Sequence, residues 1–154
     1  MVKCFLISFL FLWCSWNITE AQVKSPDEFL GYPLGSKFTA HTRVLDYFKY
    51  LGKMAKNVRI LDYGRSYEGR ELLVAIVSAK ENMDNLEQIR KNNINLSNAQ
   101  KITGKPFRQP AILWLSYNVH GNEASSTETA LKTLYVLAES KTPGVQDWLK
   151  NTVV

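Results

Sequence analysis

Residues 111–123 read Ala111-Ile112-Leu113-Trp114-Leu115-Ser116-Tyr117-Asn118-Val119-His120-Gly121-Asn122-Glu123, and this stretch decides the fold. Its first five residues are apolar with no alternation. Such a run predicts a central strand covered on both faces, as in sheets layered between helices. From Glu123 to Glu139 the period changes. Ala130, Leu131, Leu134, Leu137 and Ala138 fall on one stripe, which predicts an amphipathic helix of about five turns. Pro143-Gly144 breaks that helix. A short helix over residues 145–151 carries Trp148 and Leu149, and Thr152-Val153-Val154 open another strand. Strand, helix and strand in that order make a right-handed crossover unit, hence an α/β fold. Ending inside a strand would leave its neighbour's edge bare, so the chain reads as the front portion of a longer protein.

Working upstream, Val44, Phe48, Leu51 and Ala55 recur at helical spacing, and Thr42 is a fair N-cap for a helix running to about Asn57. Val58, Ile60 and Tyr63 predict a strand ending at Gly64. Glycines then bracket a polar turn, Gly64-Arg65-Ser66-Tyr67-Glu68-Gly69, and an apolar run from Leu72 to Val77 predicts the second arm of a hairpin. Residues 85–95 form a polar helix with Leu86 and Ile89 turned inward and Asp84 as its cap. Residues 97–109 read as a loop. Pro26, Gly31, Pro33 and Gly35 make residues 22–37 an extended entry segment.

The first 21 residues stand apart. A short basic start, Met1-Val2-Lys3, precedes an apolar stretch from Cys4 to Trp13 and a cleavage-like Thr19-Glu20-Ala21. That is the layout of a secretory signal peptide, which would send the mature chain outside the cytoplasm, to a secreted or periplasmic location. The apolar stretch is too short for an ordinary membrane span, so no stable span is expected once the signal is removed. Both cysteines, Cys4 and Cys14, lie in this leader, so the mature chain has no disulfide to rely on. With 154 residues, 45% of them hydrophobic, the remainder suffices for one domain. The formal charge of +5 is scattered as single lysines and arginines rather than interleaved with aromatics, which argues against nucleic acid as a partner. Asn95-Leu96-Ser97 is a glycosylation sequon, of consequence only in a eukaryotic secretory route.

Chemistry concentrates at His120-Gly121-Asn122-Glu123. An imidazole at a strand end and a carboxylate in the first turn of the next helix can converge on one divalent metal. Gly121 would permit the sharp turn between them, and the helix N-terminus suits a negative Glu123. The plain alternative makes Asn122 a helix cap and His120 a loop residue. A tetrahedral catalytic zinc takes three protein ligands. The only other histidine, His41, precedes the first helix, where a surface or capping role is expected.

Tyr117-Asn118-Val119-His120-Gly121-Asn122-Glu123 and the helix after it resemble the first zinc motif of the zinc carboxypeptidases, the superfamily of carboxypeptidases A, B, D and E. The His-Gly-Asn-Glu form is closest to the D/E-type branch. Residues 60–72, with Gly64-Arg65-Ser66-Tyr67-Glu68-Gly69-Arg70 at their centre, are similar to the family's early hairpin. The resemblance covers residues 38–154. It implies a three-layer α/β/α fold around a mixed sheet, present here only in part, with His120 and Glu123 as zinc ligands. It implies hydrolysis of C-terminal peptide bonds by zinc-activated water, with peptide or protein C-termini as substrate. The second zinc histidine and the catalytic glutamate of the family would fall after Val154, so no catalytic residue is assigned within this chain. Arg65 and Arg70 would belong to a structural hairpin. Two other readings remain: an aspartoacylase-like zinc deacylase, which shares His-Gly-Asn-Glu, and a non-catalytic remnant or peptide-binding fragment.

Overall fold

The structure is a computed structural model and describes residues 22–98 and 108–154. The signal-peptide reading of residues 1–21 and most of the expected loop over residues 97–109 lie outside the described residues.

The entry segment is not extended throughout. Ser25 caps a short helix, α1 (Pro26–Leu30), in a capping box: its hydroxyl accepts from the Glu28 amide, and the Glu28 carboxylate accepts from the Ser25 amide at 2.7 Å. Pro26 stands at the first helical position, where its missing N–H costs nothing. Gly31 closes the helix in the left-handed conformation.

α2 (His41–Met54) begins earlier than its pattern suggests. Its N-cap is Ala40, with no side-chain hydrogen bond, and Thr42 sits inside the first turn rather than capping it. Tyr47 and Leu51 are fully buried on its inner face. The Tyr47 hydroxyl donates to the Lys24 carbonyl at 2.9 Å, and the ring lies 5.1 Å from Phe29 and 6.0 Å from Tyr50. Burial pushes the Tyr47 phenol far above its ordinary value. These contacts fold residues 22–40 back onto α2.

The hairpin is present as β1 (Val58–Arg65) and β2 (Glu71–Val77), antiparallel, with a bulge between Asp62 and Gly64. Its turn is closed by the Gly69 amide on the Ser66 carbonyl at 2.9 Å. After it comes a helix the pattern does not signal, α3 (Lys80–Asp84). Asp84 therefore ends α3 and pairs with Lys80 instead of capping α4 (Leu86–Ser97), whose N-cap is Asn85. Ile89 is buried and Leu86 half-buried, as the pattern requires, and the sequon lies in the last turn of α4.

The apolar run at 111–115 is a strand only at its start. β3 (Ala111–Ile112) pairs in parallel with β4 (Thr152–Val153), and the Leu113 amide adds one bond to the Val153 carbonyl at 2.8 Å. Between them run α5 (Ala124–Glu139) and α6 (Val145–Asn151), so the parallel crossover is realised. The expected cover on both faces is not supplied by the described residues: Ile112, Leu113, Trp114 and Leu115 are all exposed, Trp114 at 73%. α5 is ended by Ser140 in the left-handed conformation, three residues before Pro143.

The hairpin and the parallel pair join into a mixed arrangement. Val77 and Val154 exchange both backbone hydrogen bonds, at 2.8 and 3.0 Å, the signature of an antiparallel pair, which sets β2 beside the end of β4. The buried core lies where α2 and α5 meet these strands: Tyr47 and Leu51 from α2, Leu131, Leu134 and Leu137 from α5, and Val58 and Val77 from the hairpin. Ser78, fully buried, stitches the two halves through its hydroxyl, which reaches the carbonyls of Leu149 and Thr152 at 3.0 and 2.7 Å. The result is α/β, and among the described residues no helix is long and apolar enough to cross a membrane.

Candidate metal centre

Beyond β3 the chain runs without regular structure to Asn118, a non-glycine residue at φ 55°, in the left-handed region. Asparagine tolerates that region better than most side chains. Two hydrogen bonds hold it there: its amide N–H donates to Ser126 Oγ and its Nδ2 donates to Thr127 Oγ1, both at 2.7 Å. Two residues later His120 opens a turn closed by the Glu123 amide on the His120 carbonyl at 3.1 Å. Gly121 is not the residue that makes this turn possible. Its φ is not positive, and a Cβ built on it would meet nothing within 4 Å. The left-handed step is taken at Asn118 instead.

Glu123 occupies the N-cap of α5 rather than its first turn, and its side chain does not cap the helix; neither does Asn122 take the N-cap. The Glu123 carboxylate therefore remains free of its own helix and turns to His120. His120 Nδ1 and Glu123 Oε1 lie 3.1 Å apart, with both side chains well exposed, at 69% and 59%. Zinc–nitrogen and zinc–carboxylate bonds of about 2.1 Å put two tetrahedral donors roughly 3.4 Å apart. The pair thus has the donor types and close to the separation that zinc requires of two adjacent ligands. Among the described residues no group of three His, Cys, Asp or Glu side chains could hold a metal.

His41 is elsewhere: exposed at the start of α2, its Nε2 lies 3.0 Å from the Glu71 carbonyl. Arg65 donates to the Gly69 carbonyl at 3.1 Å and Arg70 pairs with Glu68, so both serve the hairpin turn. One residue unremarked in the pattern matters to the site's helix. Glu128, in the second turn of α5, accepts from the amides of Thr39 at 3.0 Å and Gly35 at 3.4 Å, tying the entry segment to α5. Nothing in the sequence could flag it, because the partners lie 89 and 93 residues away.

The α/β scaffold thus brings a histidine and a glutamate together at the N-terminus of a crossover helix. The chain belongs to the zinc carboxypeptidase family (peptidase family M14), whose sequence profile matches residues 44–154. The match runs from Val44, in the first turns of α2, through β4, with His120 and Glu123 inside it, and leaves out α1 and residues 41–43 of α2. No match was found among the curated proteins or among the solved structures.

Proposed function

We propose that the chain carries two protein ligands of a catalytic zinc, His120 and Glu123, in an exported metallocarboxypeptidase that hydrolyses C-terminal peptide bonds. The carrying observation is the 3.1 Å approach of His120 Nδ1 to Glu123 Oε1 within a segment that matches a family of zinc enzymes. When bound, zinc supplies an activated water and polarises the scissile carbonyl. His120 contributes an imidazole nitrogen and Glu123 a carboxylate oxygen, both open to solvent and so accessible to a metal and to a peptide end. The third ligand and the general base would come from residues after Val154, as the family resemblance implies. Export rests on the leader pattern of residues 1–21. The substrate class is a peptide or protein with a free C-terminal carboxylate.

The test is to sequence the reading frame beyond codon 154 and assay the whole product for release of C-terminal residues. Expected are a later histidine and glutamate in apolar strand contexts, about one zinc per chain, and loss of release on chelation or in His120→Ala. A genuine stop after Val154, or release undiminished in His120→Ala, would overturn the proposal.

A further inference from the structure

Residues 118–123 form a closed unit. At one end Asn118 is bonded to two hydroxyls in the first turn of α5, at the other Glu123 is the N-cap of that same helix, and His120 lies between. The direction of the Asn118 bonds is informative. A capping side chain accepts from the free amides of a helix's first turn. Asn118 instead donates, and to side chains: its backbone N–H to Ser126 and its carboxamide to Thr127. Its bonds go to hydroxyls rather than to the helix's first-turn amides, and they hold the loop. Either orientation of the carboxamide keeps the second bond, because the Thr127 hydroxyl can donate or accept.

The unit has little else to fix it. Asn118, Val119 and the four residues 120–123 are exposed, Val119 at 76%. Among the described residues, besides the pair itself, one further bond closes this loop, from the Glu123 amide to the His120 carbonyl.

We infer that Asn118, through Ser126 and Thr127, is the positioning residue of the metal site: it fixes the approach of His120 to Glu123 and so sets the affinity for zinc. This rests on reading His120 and Glu123 as zinc ligands. Partners that orient metal ligands are worth about tenfold or more in metal affinity.

The imidazole proton resonances of His120, assigned by their loss in His120→Gln, report the site, with His41, engaged by the Glu71 carbonyl, as internal control. The whole product of the reading frame, which on the proposed function carries the third ligand, is titrated with zinc chloride and the His120 shift followed, beside the thermal midpoint of each variant. Thr127→Val removes the hydroxyl, Thr127→Ser keeps it, and Asn118→Gly keeps the left-handed backbone without the carboxamide. Expected is a loss of about tenfold in zinc affinity for Thr127→Val and Asn118→Gly, wild-type affinity for Thr127→Ser, and an unchanged midpoint in all three. Wild-type affinity in both Thr127→Val and Asn118→Gly would overturn the positioning role while leaving the ligand assignment intact. A wild-type titration in which His120 shifts no more than His41 would instead overturn the ligand assignment, and this inference with it.

Discussion

Gly52 and Ile60 approach more closely than a side chain on Gly52 would permit. A Cβ built at Gly52 would lie 2.6 Å from Ile60 Cγ1 and 3.4 Å from Ile60 Cβ. Here α2 lies directly on β1, backbone against side chain. Ile60 cannot swing aside cheaply, because its β-branched side chain is stiff and its position in the strand is set by the pairing with Ala75. Gly52→Ala should therefore destabilise the chain by about 1–3 kcal/mol, the cost of overpacking, in spite of alanine's better helix propensity. Urea unfolding followed by far-ultraviolet circular dichroism reads this out, and a stabilised variant would contradict the close approach.

The turn between His120 and Glu123 gives the opposite expectation. Gly121 has open space where a Cβ would be and no positive φ. Gly121→Ala should leave stability within about 0.5 kcal/mol and leave zinc binding at His120 unchanged. A large loss of either would mean that the glycine, and not Asn118, makes the turn.

The contrast shows how far residues reveal structure. The stripe Ala130, Leu131, Leu134, Leu137 and Ala138 was legible because five positions repeat one period, and all five are buried. The hairpin was legible because glycines bracket its turn. The His120–Glu123 pair was legible as spacing, but the reason for its geometry was not, since His-Gly-Asn-Glu draws the eye to the glycine while the strained step lies two residues before the histidine. α1 did carry a signal, Ser25-Pro26-Asp27-Glu28, which is a capping box with proline at the first helical position. The nearby Gly31, Pro33 and Gly35 outweighed it. The covered central strand expected at 111–115 follows from an apolar run without alternation. Composition says what a strand will bury once partners exist, and the described residues supply a neighbour at β4 but no cover for Trp114.

Three exposed carboxylates give acid unfolding a defined sign. The Glu28 carboxyl is held below its ordinary value chiefly by its bond from the Ser25 amide, Glu87 is lowered to about 2 chiefly by its bonds from Arg90, and Asp147 is lowered by Lys150. Each pKa is depressed on folding. Their contribution is present above the unfolded values, near about pH 4, and is lost as pH falls through the folded ones. The thermal midpoint should fall between about pH 5 and pH 2. High salt should blunt the part due to Glu87 and Asp147, which face cations across solvent, more than the part due to Glu28. Glu28→Gln should therefore remove most of the acid sensitivity that survives at high salt. A midpoint independent of pH in this window would contradict all three assignments.

Glu128 holds residues outside the family match to the helix that presents Glu123. Its two carboxylate oxygens accept from the amides of Gly35 and Thr39, and Thr39 is buried beneath them. Glu128→Ala leaves both amides without their acceptor. The expected cost is about 1.5 kcal/mol, the lower end for hydrogen bonds to a charged group, since the carboxylate is only partly buried. The consequence should be local as well as global. α1 keeps its own anchors, the Phe29–Tyr47 contact and the bond from Tyr47 to Lys24, so only the stretch between Gly31 and Ala40 is released. Lys37, exposed in that stretch, should become a faster site of tryptic cleavage in Glu128→Ala, while exposed lysines on α4 such as Lys91 keep their wild-type rate. Glu128→Gln retains one acceptor oxygen and should fall between the two. Equal cleavage at Lys37 in all three proteins would mean that the stretch is held by its other bonds, from the Leu34 amide to Asp27 and from the Tyr32 hydroxyl to Thr39, and that Glu128 does not secure it.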